Sequence, residues 1–452
     1  MTADPFVVRG RDRFELGAEA ARVSGVRVRA IVKVLSAWAR RQPRVLEATR
    51  ASEPAGPGML AEVEGASRAL GMSADDLLKA RRIMESLAMT GCTNFGAVGS
   101  ATLDGKAMTS WNFDVTPFFR LLFGRFPLFV REVEGCIPYL AFGIPALFGM
   151  GVMNTEGLTC VINAVGMTDE GEGYSPFELN NIAMETCSRV SEAAAVFSEG
   201  PRRAIRAMTF GILMNWNTIW ADAEGNLSLF EYSHRHFNEH DATAAGSIAS
   251  ANHHQFLDHS LSGGMDPNSQ PLIAGSYSRL ARMYALLDEY RGRLGPEAAK
   301  RMVSDHIPDY SLLEEFGVQR EWWEEKLDDS TICAHAWNVS KHLRQGHLSD
   351  AFMEAAFSTT LYSHQFQPHL MTSWFTDGHP CKNDTVPVYW GKHLGAEKER
   401  YPGALEPEQL FGIKRQTTRR LIFGRDATGV EDLLGRVWMS MVRAGERSNF
   451  DH

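Results

Sequence analysis

Cysteine is scarce and scattered: six in 452 residues, at positions 92, 136, 160, 187, 333 and 381, with no Cys-x-x-Cys. That pattern excludes a disulfide scaffold and a cysteine zinc site, and it fits a reducing compartment, read here as the cytoplasm. No apolar run reaches the ~18 residues a membrane span needs. Met1-Thr2-Ala3-Asp4-Pro5 has no basic region followed by an apolar core, so no secretory signal and no membrane partner are expected. No Gly-x-x-x-x-Gly-Lys phosphate loop and no His-Glu-x-x-His helix occur, and no cofactor is expected. Positive charge is in deficit. The net charge is −9, which argues against general nucleic-acid binding. Internal repeats and low-complexity tracts are missing too.

What remains is an ordinary globular composition, 44% hydrophobic and 22% charged, long enough for one large domain or two to three smaller ones. Charge is unevenly divided. Residues 1–91 hold 15 Lys+Arg and 11 Asp+Glu, net +4, and the rest hold 31 and 44, net −13. A basic leader against an acidic body fits a segment that stays docked on the body. A solvated basic helical face fits equally well.

The leader reads as helical. Val23, Val26, Ile31, Val34, Leu35 and Trp38 recur at helical spacing over 14–41. A loop follows at 51–58, then a helix over 59–70. Ser73 reads as the N-cap of a helix over 74–87 with Asp75 and Asp76 in its first turn. The texture changes at Cys92. Strands are expected at 106–111, 128–133 and 158–162, a helix over 176–197, a short helical piece over 202–208, and a hairpin over 217–231. Helices over 276–290 and 296–306 come next, then strands over 355–392 and a helix over 430–442. Composition and periodicity support a soluble α/β protein and nothing finer.

Gly91-Cys92-Thr93 carries chemistry. Glycine leaves its carbonyl open, and the Cys92 thiol can attack it through a small ring, turning the amide into a thioester that water hydrolyses. The new α-amino group, with a reference pKa of roughly 7.7–8.0, could take the proton of its own thiol, near about 8.5. One residue would then be both nucleophile and base. Alone the pair is a weak signal, since Gly135-Cys136 repeats it and a lone cysteine is ordinarily a small buried hydrophobe.

Further segments join it in order. They are Glu62 to Glu85, with Gly71 to Leu78 inside it, Trp111-Asn112-Phe113-Asp114 ending 22 residues after the cysteine, and Gly151 to Leu158 running on to Asn163. Asn217 to Asn226 with Glu231, Ala251-Asn252-His253-His254, and Ser276-Tyr277-Ser278-Arg279 complete the set. Taken together they resemble the acyl-coenzyme A:6-aminopenicillanic acid acyltransferase (isopenicillin-N acyltransferase) family, within the N-terminal-nucleophile hydrolases that include choloylglycine hydrolases. The resemblance runs from about residue 12 to about residue 385. It implies an α+β, four-layer αββα fold, a leader 1–91 and a catalytic body 92–452 after self-cleavage. It also implies Cys92 as nucleophile, Asp114 holding the α-amino group, Asn163 and Asn252 as oxyanion donors, and Arg279 beside the nucleophile.

Trp111 stands where the choloylglycine branch carries arginine, and Ala251 where threonine is frequent. Phe118, Phe119 and Phe123 could line an acyl pocket, or pack as plain core. The expected partners are a small-molecule amide or acyl thioester and the chain's own leader. Neither the acyl group, nor hydrolysis against transfer, nor the oligomeric state is set. Alternatives are a hydrolase of small aminoacyl-amine conjugates and an uncut, non-catalytic binding protein. A zinc site among His234, His236, His240, Asp241, His253, His254, Asp258 and His259, and a Cys-His-Asn protease, are lesser ones.

Overall fold

In the computed structural model the described residues are 6–40, 56–87, 91–115, 123, 127–206, 213–258, 271–307, 309, 311–315, 332 and 360–412. The expected helix over 430–442 lies outside them, as do Phe118 and Phe119.

The chain opens with a strand the sequence reading did not foresee, β1 (Val7–Gly10). Among the described residues three helices follow: α1 (Arg13–Arg40), α2 (Pro57–Leu70) and α3 (Ala74–Leu87). In α1 the backbone breaks helical geometry at Gly25 (φ 20°, ψ −100°), which resets the helical phase. Val34, expected on the apolar stripe, is therefore 67% exposed, while Val28 and Val32 are buried. α1 and α2 cross closely at two glycines. A Cβ on Gly17 would sit 2.0 Å from the Glu62 carbonyl oxygen, and one on Gly65 would sit 1.9 Å from that of Phe14.

Two sheets form the body. The first is nine-stranded, with neighbours β1, β4 (Leu128–Val133), β5 (Tyr139–Ile144), β6 (Phe148–Asn154), β7 (Thr159–Met167), β9 (Leu213–Ala221), β10 (Leu227–Tyr232) and β11 (Phe237–Asp241), and β8 (Ile205–Arg206) against β9. β1 joins β4 in parallel, so the N-terminal segment contributes an edge strand to this sheet. The second is six-stranded, in the order β12 (Ser247–Ser250), β2 (Gly91–Ala97), β3 (Met108–Asp114), β13 (Thr360–Gln367), β14 (Thr372–Asp377), β15 (Thr385–Tyr389).

The sheets pack face to face. Thr109 and Thr159 share a 2.8 Å hydroxyl contact across the gap, and a Cβ on Gly96 would sit 2.7 Å from Ile219 and 2.8 Å from Leu227. α4 (Pro176–Thr186) and α5 (Val190–Glu199) cover the outer face of the first sheet through Phe177 against Trp216 and Phe197 against Trp220. α6 (Pro271–Glu289) and α7 (Pro296–Val303) cover the second, burying Leu280, Met283 and Met302 against Phe95, Ala97 and Met108. The four layers α-β-β-α are those the resemblance implied.

Two expectations need correction. The helix over 176–197 is two helices, because Cys187 is extended (φ −114°, ψ 143°). The side chain of Asn154 donates to the carbonyls of Met184 (3.0 Å) and Cys187 (2.8 Å), and Glu192 caps a new start at Arg189. Over 202–208 there is no helix among the described residues. Ile205 and Arg206 pair as a strand with Met214 and Leu213.

Candidate active site

The 22-residue spacing closes into the antiparallel pair β2–β3. Its register sets Gly91 opposite Asp114, Cys92 opposite Phe113 and Asn94 opposite Trp111. Alternation along β2 turns Cys92, Asn94 and Gly96 towards the other sheet, and Thr93, Phe95 and Ala97 towards α6. Cys92 is fully buried.

Two predicted residues meet at the backbone of Cys92. Asn252, in the turn after β12, accepts the Cys92 N–H with its side-chain oxygen at 3.1 Å. Arg279, on α6 and buried, donates to the Cys92 carbonyl and, at 2.7 Å, to the Thr93 hydroxyl. Its other terminal nitrogen reaches the Asn252 side-chain oxygen at 2.7 Å. The guanidinium thus binds both the carbonyl of Cys92 and the side chain that holds its nitrogen. Burial lowers the Arg279 pKa, and the charges of Asp114 and Cys92 oppose that shift.

Asp114 ends β3, is 1% exposed, and accepts from the Thr360 hydroxyl at 2.7 Å. Burial pushes its carboxyl up to about 7, against the pull of Arg279 and the Thr360 hydrogen bond. It is therefore poised between its two protonation states near neutral pH. The Asn252 side-chain oxygen is taken up by the Cys92 N–H, a contact the oxyanion role expected of that residue did not foresee. The Asn252 amide also donates to the Ala164 carbonyl at 3.0 Å.

Asn163, on β7, sits across the gap with its oxygen 2.7 Å from the donating amide of Asn94. That bond fixes the orientation, leaving the Asn163 NH2 group buried and without a hydrogen-bond partner among the described residues. Such a donor is what an oxyanion needs. Phe123 packs on Phe113 (5.7 Å), Phe142 (5.4 Å) and Phe148 (5.7 Å), in an aromatic cluster bordering the register partner of Cys92.

Sequence reasoning passed over the residues that hold the Asn252 turn. Ser276 accepts the Asn252 backbone N–H at 2.7 Å and contacts His253 Nδ1 at 2.7 Å. Asn217 donates to the His253 carbonyl at 2.7 Å and meets His254 Nδ1 at 3.0 Å. Two of the histidines weighed as metal ligands stack on aromatic rings, His253 on Tyr277 at 3.8 Å and His240 on Phe256 at 3.6 Å, and His259 lies outside the described residues. Among the described residues the group with metal-like spacing is elsewhere, at His393, Glu406 and Glu408. There Glu406 already pairs with Arg400 (2.9 Å), and His393 Nε2 lies 3.2 Å from Glu408.

Residues 129–334 match the model of the family described as "Acyl-coenzyme A:6-aminopenicillanic acid acyl-transferase", which bears out the resemblance. The matched stretch includes Asn163, Asn252 and Arg279 and begins after Cys92 and Asp114. No curated protein matches the chain in sequence. Solved structures with some likeness include penicillin V acylase from Agrobacterium tumefaciens, at 13% identity and TM-score 0.35, covering 66% of this chain and 85% of that one. Another is a mutant form of conjugated bile acid hydrolase from Clostridium perfringens, at 11% identity and TM-score 0.36, covering 70% and 98%. The layer assignment above rests on this chain's own contacts. No helix among the described residues is long and apolar enough to cross a membrane.

Proposed function

We propose, starting from the family resemblance borne out over residues 129–334, that this chain is a self-processing amide-bond enzyme with Cys92 as its nucleophile. It would act on a small N-acyl compound through a thioester. The observation that carries this reading is the pair of polar side chains built around one residue, with Asn252 on the Cys92 nitrogen, in the peptide proposed to be cut, and Arg279 on the Cys92 oxygen, in the peptide after it.

Processing runs in two steps. The Cys92 sulfur adds to the Gly91 carbonyl, the carbon–nitrogen bond breaks, and the acyl group of Gly91 passes to sulfur as the Cys92 nitrogen gains a proton. Water then hydrolyses that thioester, leaving the carboxylate of Gly91 and a free Cys92 amine. Residues 1–91 become the leader and 92–452 the body. Asp114, opposite Gly91 in register, is the nearby group able to give or take a proton at neutral pH.

In turnover the free amine of Cys92 takes the thiol proton while Asn252 holds and orients it. The thiolate attacks the substrate amide, and the Asn163 amide donates to the developing oxyanion. The amine product leaves with the proton. Water or a second amine then takes the acyl group, so hydrolysis and acyl transfer share every step up to the thioester. Phe118, Phe119 and Phe123 are assigned to the acyl side of the pocket, with Phe123 already against Phe113.

The test is the intact mass of wild type beside Cys92→Ala. Two pieces, 1–91 and 92–452, in the wild type alone support the reading, and a panel of N-acyl amides and acyl thioesters then separates hydrolysis from transfer. A single uncut species in both would return the chain to a binding role.

A further inference from the structure

We propose that Glu231 is the positioning residue that sets Asn252 against the Cys92 peptide. Glu231 lies on β10 and is fully buried. One carboxylate oxygen accepts the backbone N–H of Gln255 at 2.6 Å, and the other accepts those of Phe256 and Leu257, each at 2.8 Å. Among the described residues no cation pairs with it. Burial raises its pKa, and the three N–H groups oppose that rise.

A buried carboxylate costs several kcal/mol unless its oxygens are satisfied. Here the satisfaction comes wholly from three successive amides of one turn. The carboxylate is therefore a template for that turn, since three N–H vectors converge only if 255–257 keep this backbone. The turn begins at Asn252, three residues upstream.

The template is rigid on its other side. β10 pairs with both β9 and β11, and Glu231 is the register partner of Asn217. Asn217 grips the same turn by the His253 carbonyl, and Ser276 grips it from α6 by the Asn252 N–H. Of these five backbone contacts Glu231 supplies three, the charged ones, while Arg279 reaches only the side chain of Asn252, so the backbone placement of Asn252 depends on Glu231 first. A misplacement near 1 Å costs about 10²-fold in rate.

The catalytic consequence rests on the Cys92 reading, whereas the grip on the turn does not. The experiment reads both on the full chain, with Glu231→Gln compared to wild type. Glutamine has one oxygen and turns an NH2 group at the remaining amides. Faster hydrogen exchange at 255–257, a modest fall in melting temperature from the buried N–H groups left without an acceptor, self-cleavage slowed about 10–100-fold at temperatures where the variant is fully folded, and partial recovery in Glu231→Asp are expected. If Glu231→Gln does not fold, Glu231→Asp is read in the same way for exchange and cleavage. Unchanged exchange at 255–257 overturns the proposal, and so does faster exchange with wild-type cleavage. Wild type that never cuts itself defeats the Cys92 reading instead, and the exchange arm still decides whether Glu231 holds the turn.

Discussion

The side-chain oxygen of Asn252 lies 3.1 Å from the backbone nitrogen of Cys92, although 160 residues separate them. In the uncut chain that nitrogen is an amide, and cleavage before Cys92 makes it an amine. On the proposed reading one acceptor would serve both states, with Asn252 kept in place between processing and turnover. Asn252→Ala removes the acceptor and leaves the turn in place, because Ser276 holds its backbone. Self-cleavage should slow by about 10²–10³-fold, followed as the fraction of 1–91 released over time by mass. A wild-type rate would remove Asn252 from the machinery.

Asp114 makes the stability of the fold depend on pH in an unusual direction. Its carboxyl stands at about 7, above the ordinary 3.8, because burial disfavours the charged form. The folded state therefore binds the proton more tightly than the unfolded one. Its stabilising contribution is complete below about pH 4 and is lost as pH rises towards 7, by up to about 4 kcal/mol at 1.36 kcal/mol per unit. Urea titrations of wild type and Asp114→Asn between pH 4 and 8 should show the difference closing at the acid end and growing in favour of Asn with rising pH. Parallel curves would mean that Arg279 already balances the charge.

Glu62 ties leader to body across the proposed cut. It is buried among Arg131 at 2.6 Å, Arg13 at 2.9 Å and Arg81 at 3.4 Å. Burial alone would raise its pKa. The three arginines outweigh burial and hold it at about 2. That stabilisation is present above about pH 4.5 and is lost as pH falls towards 2. Glu62→Gln leaves buried guanidinium groups without their anion and should cost about 3–5 kcal/mol. In the cleaved protein the leader should then separate on gel filtration, where the wild type elutes as one species.

The layered body was legible because its strands and helices carry ordinary period-2 and period-3.6 patterns. β4 falls where the sequence placed it, Leu128–Val133. β1 was not legible: four residues, Val-Val-Arg-Gly, gain their identity only from Val130 and its neighbours more than 120 positions away. The break at Cys187 was hidden for a similar reason, since the polar group that stops the helix is Asn154. At the candidate site Gly91-Cys92 gave a weak local signal and Asp114 entered through the resemblance, and the register of one strand pair is what aligns them. Asn252 and Arg279 were read through resemblance alone. Thr360, which caps Asp114 from 246 residues away, carries no local signal. Glu231 and Ser276 stood inside quoted motifs, but their roles depend on backbone amides, which no sequence pattern displays.

Arg279 offers a sharper distinction between charge and geometry. Its guanidinium spans the Cys92 carbonyl, the Thr93 hydroxyl and the Asn252 oxygen at once. Lysine would keep the charge that faces Asp114 but has no planar fork to span two acceptors. Arg279→Lys should therefore retain most of the fold's stability and its response to pH through Asp114. Self-cleavage should fall by about 10–10³-fold, since the Asn252 oxygen loses one of the two donors that orient it. Arg279→Ala should lose cleavage and also destabilise the chain increasingly with rising pH, because without the guanidinium the Asp114 carboxyl moves still higher and must stay protonated to remain buried. The two variants, read side by side by melting temperature and by released leader, separate the parts: equal cleavage defects with equal stability losses would show that charge alone matters at this position.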